Sequence, residues 1–294
     1  MKTPVAEVEI NQHLVRALLD QQAPSLAALP LTYLNEGWDN VIYQLGEEYL
    51  IRLPRRKIAV PFIEKEQQWL PQIASQVSIA VPSPIFQGKP QDTYPWPWSI
   101  TPRFAGTMAA EQEMMPAEAV GLATFLQELH GLPIIGTVPY NSHRGSGLEN
   151  KAEGTLARLQ SFIQEGLIPP ALLTIWEEAV AEACPESEKR LIHGDLHPKN
   201  IIAQDGTITA IIDWGDLTQG DPATDLAAFW MLFPDKPLAR QAALAEYGAQ
   251  RGLVKRSKGW AIFFGAILLD IGKAGDALFQ QVGLSTLQSI AGGD

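Results

Sequence analysis

A chain of 294 residues that is 46% hydrophobic is long enough to bury a full core and too apolar to stay disordered. Its 22 basic and 33 acidic residues give a net charge of −11, which argues against sequence-unspecific nucleic-acid binding, since that binding rests on basic charge, and leaves a surface able to attract a cationic small molecule. A single cysteine, Cys184, excludes an intramolecular disulfide and agrees with a reducing, cytoplasmic setting. The opening residues lack the apolar run of an export leader, and the apolar stretch 260–271 is too short to span a membrane.

Taken in order, residues 7–20 place Ile10, Leu14, Ala17 and Leu18 at helical spacing, and Pro24 and Pro30 break the pattern. Residues 31–53 read as three short strands, with turns at Gly37 and at Gly46-Glu47-Glu48. Pro61 opens a helix over 62–74 with Ile63, Gln67, Leu70 and Ile73 as its inner stripe. An extended connector at 81–84, a short strand at 85–88 and a Pro-rich aromatic loop lead to a strand at 98–101. A long helix at 116–130 ends in His130-Gly131, with His130 expected to cap that end. The stretch 139–147 reads as a polar, Gly-containing loop placed to flank a substrate, and amphipathic helices follow at 149–164 and 170–184. A hydrophobic helix at 227–233 is followed by three more over 237–290, with breaks expected near Gly252 and Gly275. Trp260, Asp270 and Asp276 read as core or surface residues rather than as substrate contacts.

The chemistry concentrates in Leu-Ile-His-Gly-Asp-Leu-His-Pro-Lys-Asn followed by a strand pair that ends in Asp213-Trp214-Gly215-Asp216. A strand, a polar loop and a hairpin turning at Asp205-Gly206 bring Asp213 back near Asp195, although 18 residues separate them (213 − 195). Asp195 is an anion of the kind that accepts a hydroxyl proton. Asn200 and Asp213 supply the amide oxygen and carboxylate that a hard cation such as Mg²⁺ prefers. The spacing His193-x-Asp195-x4-Asn200, then Asp213-x-Gly215, matches the catalytic and metal loops of protein kinases. Gly194, where those enzymes have arginine, and His197-Pro198 look more like small-molecule kinases. The whole string resembles the aminoglycoside phosphotransferase family, within the wider choline kinase-like group.

That resemblance implies an α+β, bilobal protein kinase-like fold. Residues 1–102 would form a nucleotide-binding lobe with a small antiparallel sheet, and 103–294 a mainly helical catalytic and acceptor-binding lobe. It implies ATP or GTP as co-substrate with Mg²⁺, bound in the crevice between the lobes, and a small hydroxylated acceptor. Arg52 stands where such enzymes carry a phosphate-binding lysine, and Glu66 is its expected ion-pair partner, with Glu64 as rival. Arg55, Arg56 and Lys57 read as solvated. Gly37 lies in the turn that would cover the phosphates, and backbone groups of Thr101 to Phe104 would read the nucleobase. Asp195 is the expected base, Asn200 and Asp213 hold Mg²⁺, and His197 lies near the γ-phosphate. His193 is expected to support the loop by hydrogen bonding, Asp225 to brace it from below, and Lys199 to be exposed. Asp216 is a further acidic group near the metal or the acceptor.

The favoured acceptor is aminoglycoside-like, with antibiotic resistance as the matching role; macrolides, sugars, choline-like and homoserine-like alcohols stay open. Two further classes stand beside it. A metal-dependent phosphoesterase would use the Asp195-Leu196-His197 pair, but needs more ligands than the five histidines readily supply. A nucleotide-binding protein without catalysis would have no need of Asp195, Asn200 and Asp213 together.

Overall fold

The computed structural model describes residues 5–133 and 141–293. The first four residues of the opening segment, and the first two of the 139–147 loop, lie outside the described residues. The chain divides into two compact units, 1–75 with 80–104, and 76–79 with 105–294.

The first unit holds helix α1 (Gln12–Gln22), strands β1 (Leu31–Glu36), β2 (Asn40–Leu45) and β3 (Tyr49–Pro54), helix α2 (Val60–Ile73), and strands β4 (Phe86–Gly88) and β5 (Trp98–Pro102). The strands form one antiparallel sheet in the order β1-β2-β3-β5-β4. Period-two burial makes the core: Val41, Tyr43 and Leu45 of β2, Ile51 and Leu53 of β3, and Trp98 and Ile100 of β5 pack with Val15, Leu18 and Leu19 of α1. Helix α1 begins later than the periodicity suggests, because the side chain of Asn11 accepts the Leu14 N–H at 3.0 Å and fixes the start there. Gly88 faces Trp98 across the β4–β5 pair, and a Cβ at 88 would lie 2.0 Å from the indole. Helix α2 tolerates Pro71 because the Gln67 carbonyl, four residues earlier, accepts from the Gln87 side chain at 2.9 Å.

The second unit is mainly helical. Its elements are β6 (Thr107–Met108), α3 (Glu118–His130), α4 (Ala152–Gln164), α5 (Ala171–Ala181), β7 (Arg190–Ile192), β8 (Ile201–Gln204), β9 (Thr207–Ile211), β10 (Thr218–Gly220), α6 (Ala223–Leu226), α7 (Ala228–Leu232), α8 (Pro237–Tyr247), α9 (Arg251–Lys273) and α10 (Ala277–Ala291). Strands β8 and β9 form the expected hairpin, turning through left-handed Asp205 and Gly206, with β6 beside β8. Strand β7 pairs with β10 and so clamps both ends of the 193–217 segment.

The break expected near Gly252 falls instead at Gly248, whose φ of +73° ends α8. Gly252 lies inside α9, where a Cβ would meet a Glu182 carboxylate oxygen at 2.8 Å. Trp260 is fully buried, and Asp270 pairs with Arg158. Among the described residues no helix is long and apolar enough to cross a membrane.

Candidate active site

The site grows from the end of β7. Leu191 and Ile192 are buried, and the chain then turns through Gly194 at φ +86°, a conformation that favours glycine. The amides of His193 and Gly194 donate to the two carboxylate oxygens of Asp225 at 2.8 and 2.9 Å. Asp225 is fully buried. Burial pushes its carboxyl up, but the bonds from His130 and the Gly194 amide outweigh that and hold it below the usual range. The brace expected of Asp225 is thus seen directly.

His130 does not cap its helix. Its Nε2 lies 3.0 Å from Asp225 and its Nδ1 lies 2.7 Å from the Tyr247 hydroxyl. The side chain points inward because Asp225, buried at this depth, needs a polar partner more than the exposed helix end does.

His193 supports the loop as expected. Its Nε2 lies 3.0 Å from the Ile212 carbonyl, and its Nδ1 accepts the Asp195 N–H at 3.2 Å; the carbonyl can only accept, so Nε2 carries the proton. The ring rests edge-on against buried Trp214, 4.7 Å between centroids.

This frame brings the predicted loop residues together. The Asn200 amide group donates to the Asp195 carbonyl at 2.9 Å, and the Asn200 carbonyl accepts the Ile212 N–H at 2.9 Å, one residue before Asp213. Asp213 sits at φ +62°, ψ +70°, rare for a residue with a side chain. Its carboxylate takes no hydrogen bond from the described residues, and the Asn200 amide oxygen is likewise left to accept. Two hard oxygen donors kept open fit Mg²⁺, which uses few protein ligands and leaves its remaining positions to water and phosphate.

His197 Nδ1 accepts the Lys199 N–H at 3.2 Å, and its Nε2 lies 3.7 Å from Asp195 Oδ2. Burial lowers its pKa, against the opposing pull of Asp195 and Asp213, so the imidazole is neutral near pH 7. Lys199 is not simply exposed. It pairs with Asp276 at 2.9 Å and lies 3.7 Å over the Phe279 ring, so that burying its stem also gains an aromatic contact. Asp276 also caps α10.

Two residues went unread in the sequence, Arg144 and Asn141. Arg144 Nη2 donates to Asp195 Oδ1 at 2.6 Å, and its Nε donates to Asp216 Oδ2 at 3.1 Å. Asn141 donates to the other Asp216 oxygen at 2.7 Å.

In the first unit, Arg52 on β3 pairs with Glu66 on α2 at 2.6 Å, and Glu66 is buried while Glu64 is exposed. Arg55 and Arg56 are not solvated bystanders. Arg55 is buried and donates to the Gly37 carbonyl at 3.0 Å, and Arg56 pairs with Asp39 at 3.0 Å. Carbonyls of the 37–39 turn that no strand satisfies recruit these guanidinium groups. Thr101 is buried in β5, and Phe104 follows it, partly exposed.

An antiparallel sheet with an ion-paired helix, and beside it in sequence a helical unit carrying His-Gly-Asp and Asp-x-Gly loops, define a kinase-like phosphotransferase fold. The structure resembles the GDP complex of a mutant aminoglycoside 2'-phosphotransferase-IIIa, with a TM-score of 0.67 and 22% identity over 96% of this chain and 98% of that one. The model of the phosphotransferase enzyme family matches residues 30–260, and the chain belongs to that family. Among curated relatives, YcbJ of Bacillus subtilis (strain 168), itself uncharacterized, is 44% identical over 63 residues, 21% of this chain and 20% of its own length. Viomycin phosphotransferase of Streptomyces vinaceus is 33% identical over 84 residues, 27% of this chain and 29% of its own. These matches therefore span less than a third of either relative.

Proposed function

We propose that this protein transfers the γ-phosphoryl group of ATP or GTP to a hydroxyl of a small molecule, with Mg²⁺, and that an aminoglycoside-like acceptor is favoured. The observation that carries the reading is that the β7–β8 loop presents the Asp195 carboxylate while the Asn200 oxygen and, just past β9, the Asp213 carboxylate take no hydrogen bond from the described residues. The GDP complex and the viomycin relative support a nucleotide donor and an antibiotic-type acceptor.

Asp195 accepts the acceptor's hydroxyl proton. Asn200 and Asp213 would hold Mg²⁺, which when bound neutralises phosphate charge. We assign the nucleotide contacts to the 1–102 lobe. There Arg52, oriented by Glu66, contacts the α and β phosphates, the Gly37 turn covers them, and the backbone of Thr101 to Phe104 meets the base. The 103–294 lobe is assigned catalysis and acceptor binding, with His197, neutral and largely buried, beside the γ-phosphate. A cytoplasmic setting suits a nucleotide donor.

A metal-dependent phosphoesterase is disfavoured, because among the described residues no group of three or more His, Cys, Asp or Glu could hold a metal ion. The test is nucleoside diphosphate release with ATP and with GTP across a panel of hydroxylated acceptors. Asp195→Ala should lower turnover about 10²- to 10⁴-fold while nucleotide binding persists; unchanged turnover would refute the role.

A further inference from the structure

The base is not alone. Arg144 spans two carboxylates, with Nη2 on Asp195 Oδ1 at 2.6 Å and Nε on Asp216 Oδ2 at 3.1 Å. Two of its three guanidinium nitrogens are engaged, and further contacts set its surroundings. Asp216 is held by Asn141, whose own amide donates to the Thr218 hydroxyl at 3.0 Å on β10. The Asn141 side-chain oxygen also accepts the backbone N–H groups of His143 and Arg144, which sets the turn that launches the arginine. Its guanidinium carbon lies 5.2 Å from the centre of the Phe264 ring on α9. Gly194 completes the seat, since a Cβ there would stand 3.1 Å from the Arg144 Cβ.

An arginine fork held at one end by Asp216 sets the rotation of the carboxylate at the other. One oxygen of Asp195 is engaged. The other, Oδ2, is 3.7 Å from His197 Nε2, beyond a hydrogen bond. We propose that Arg144 is the positioning residue of the base: by tying Oδ1 to Asp216 through its fork, it leaves Oδ2 to take the acceptor's proton.

The inference rests on the phosphotransfer reading above. In the step, the acceptor O–H bond breaks and its proton goes to Asp195 Oδ2. The acceptor oxygen bonds to the γ-phosphorus as the bond to the β-phosphate oxygen breaks, and the nucleoside diphosphate leaves with that electron pair. Arg144 takes no part in the bond changes.

Steady-state kinetics of the full chain test this, with the acceptor that the panel identifies. Arg144→Ala should lower kcat on the order of 100-fold, as for a misplaced catalytic group, with acceptor KM and nucleotide affinity little changed. Arg144→Lys, which keeps charge but loses the fork, should recover only part of the rate. Circular dichroism checks folding; if the alanine variant does not fold, the lysine variant is judged by the same split between kcat and KM. A kcat within about twofold of wild type, or a loss carried by acceptor KM alone, overturns the proposal. If Asp195→Ala retains wild-type turnover, the phosphotransfer reading falls and takes this inference with it; if only the arginine variants stay active, the inference alone falls.

Discussion

Asp225 and Asp213 are the same residue type, 12 positions apart (225 − 213), the first in α6 against the 193–194 turn and the second just past β9. Asp225 is closed off from solvent and bonded to two backbone amides and an imidazole. Asp213 takes no hydrogen bond from the described residues and sits in a backbone conformation that costs energy. One carboxylate is spent on the fold and the other is kept available at the fold's expense. The pairing of a fully satisfied brace with an unpaired carboxylate on a strained backbone supports the metal-ligand role proposed for Asp213.

The largest expected effect breaks the brace. Asp225→Ala should destabilise the protein by roughly 3–5 kcal/mol in urea denaturation, because it strands a buried imidazole and two amides. The same carboxylate predicts an acid limb. Its pKa is depressed in the folded state, so its contribution is complete above the unfolded carboxyl value of about 4 and is lost as pH falls through the folded one. Asp225→Asn should flatten that part of the stability–pH curve, and an unchanged acid slope would count against the brace.

The opposite face should respond in the opposite sense. Asp213→Gly relieves the left-handed backbone and should gain about 1 kcal/mol of stability by thermal melting. It should also abolish Mg²⁺-dependent nucleotide binding in calorimetry. Loss of stability here would mean that Asp213 serves the fold after all. The smallest effect concerns Cys184, whose thiol is pushed up to about 12, by burial first and then by Asp221. Alkylation at pH 7.5 should be slow and leave activity intact; rapid labelling would show that the thiol is less enclosed than the structure has it.

Legibility in the sequence followed distance along the chain. Asp195, Asn200 and Asp213 are fixed by a strand, a loop and a hairpin, all local, and their spacing announced them. Glu66 was readable from its helix, 14 positions after Arg52. Arg144 was not, since its partners lie 51 and 72 residues away and a charge among Gly, Ser and His reads as solvated. His130 looked like a helix cap because its partners, Asp225 and Tyr247, are 95 and 117 residues on. Gly252 looked like a break because nothing local reveals the Glu182 carboxylate packed against it. The fold class survived these misreadings because the strand periodicity and the helical stripes are set within each element.

Lys199 has one more consequence. Its partner Asp276 lies 77 residues downstream, while Arg144 reaches the loop from 51 residues upstream. Closing such long chain segments costs entropy before any contact repays it, so contacts of this span form late in folding. On the ribosome the 193–200 loop is synthesised while its anchor at 276 is still to come. The final seating of that loop is therefore among the last events of folding.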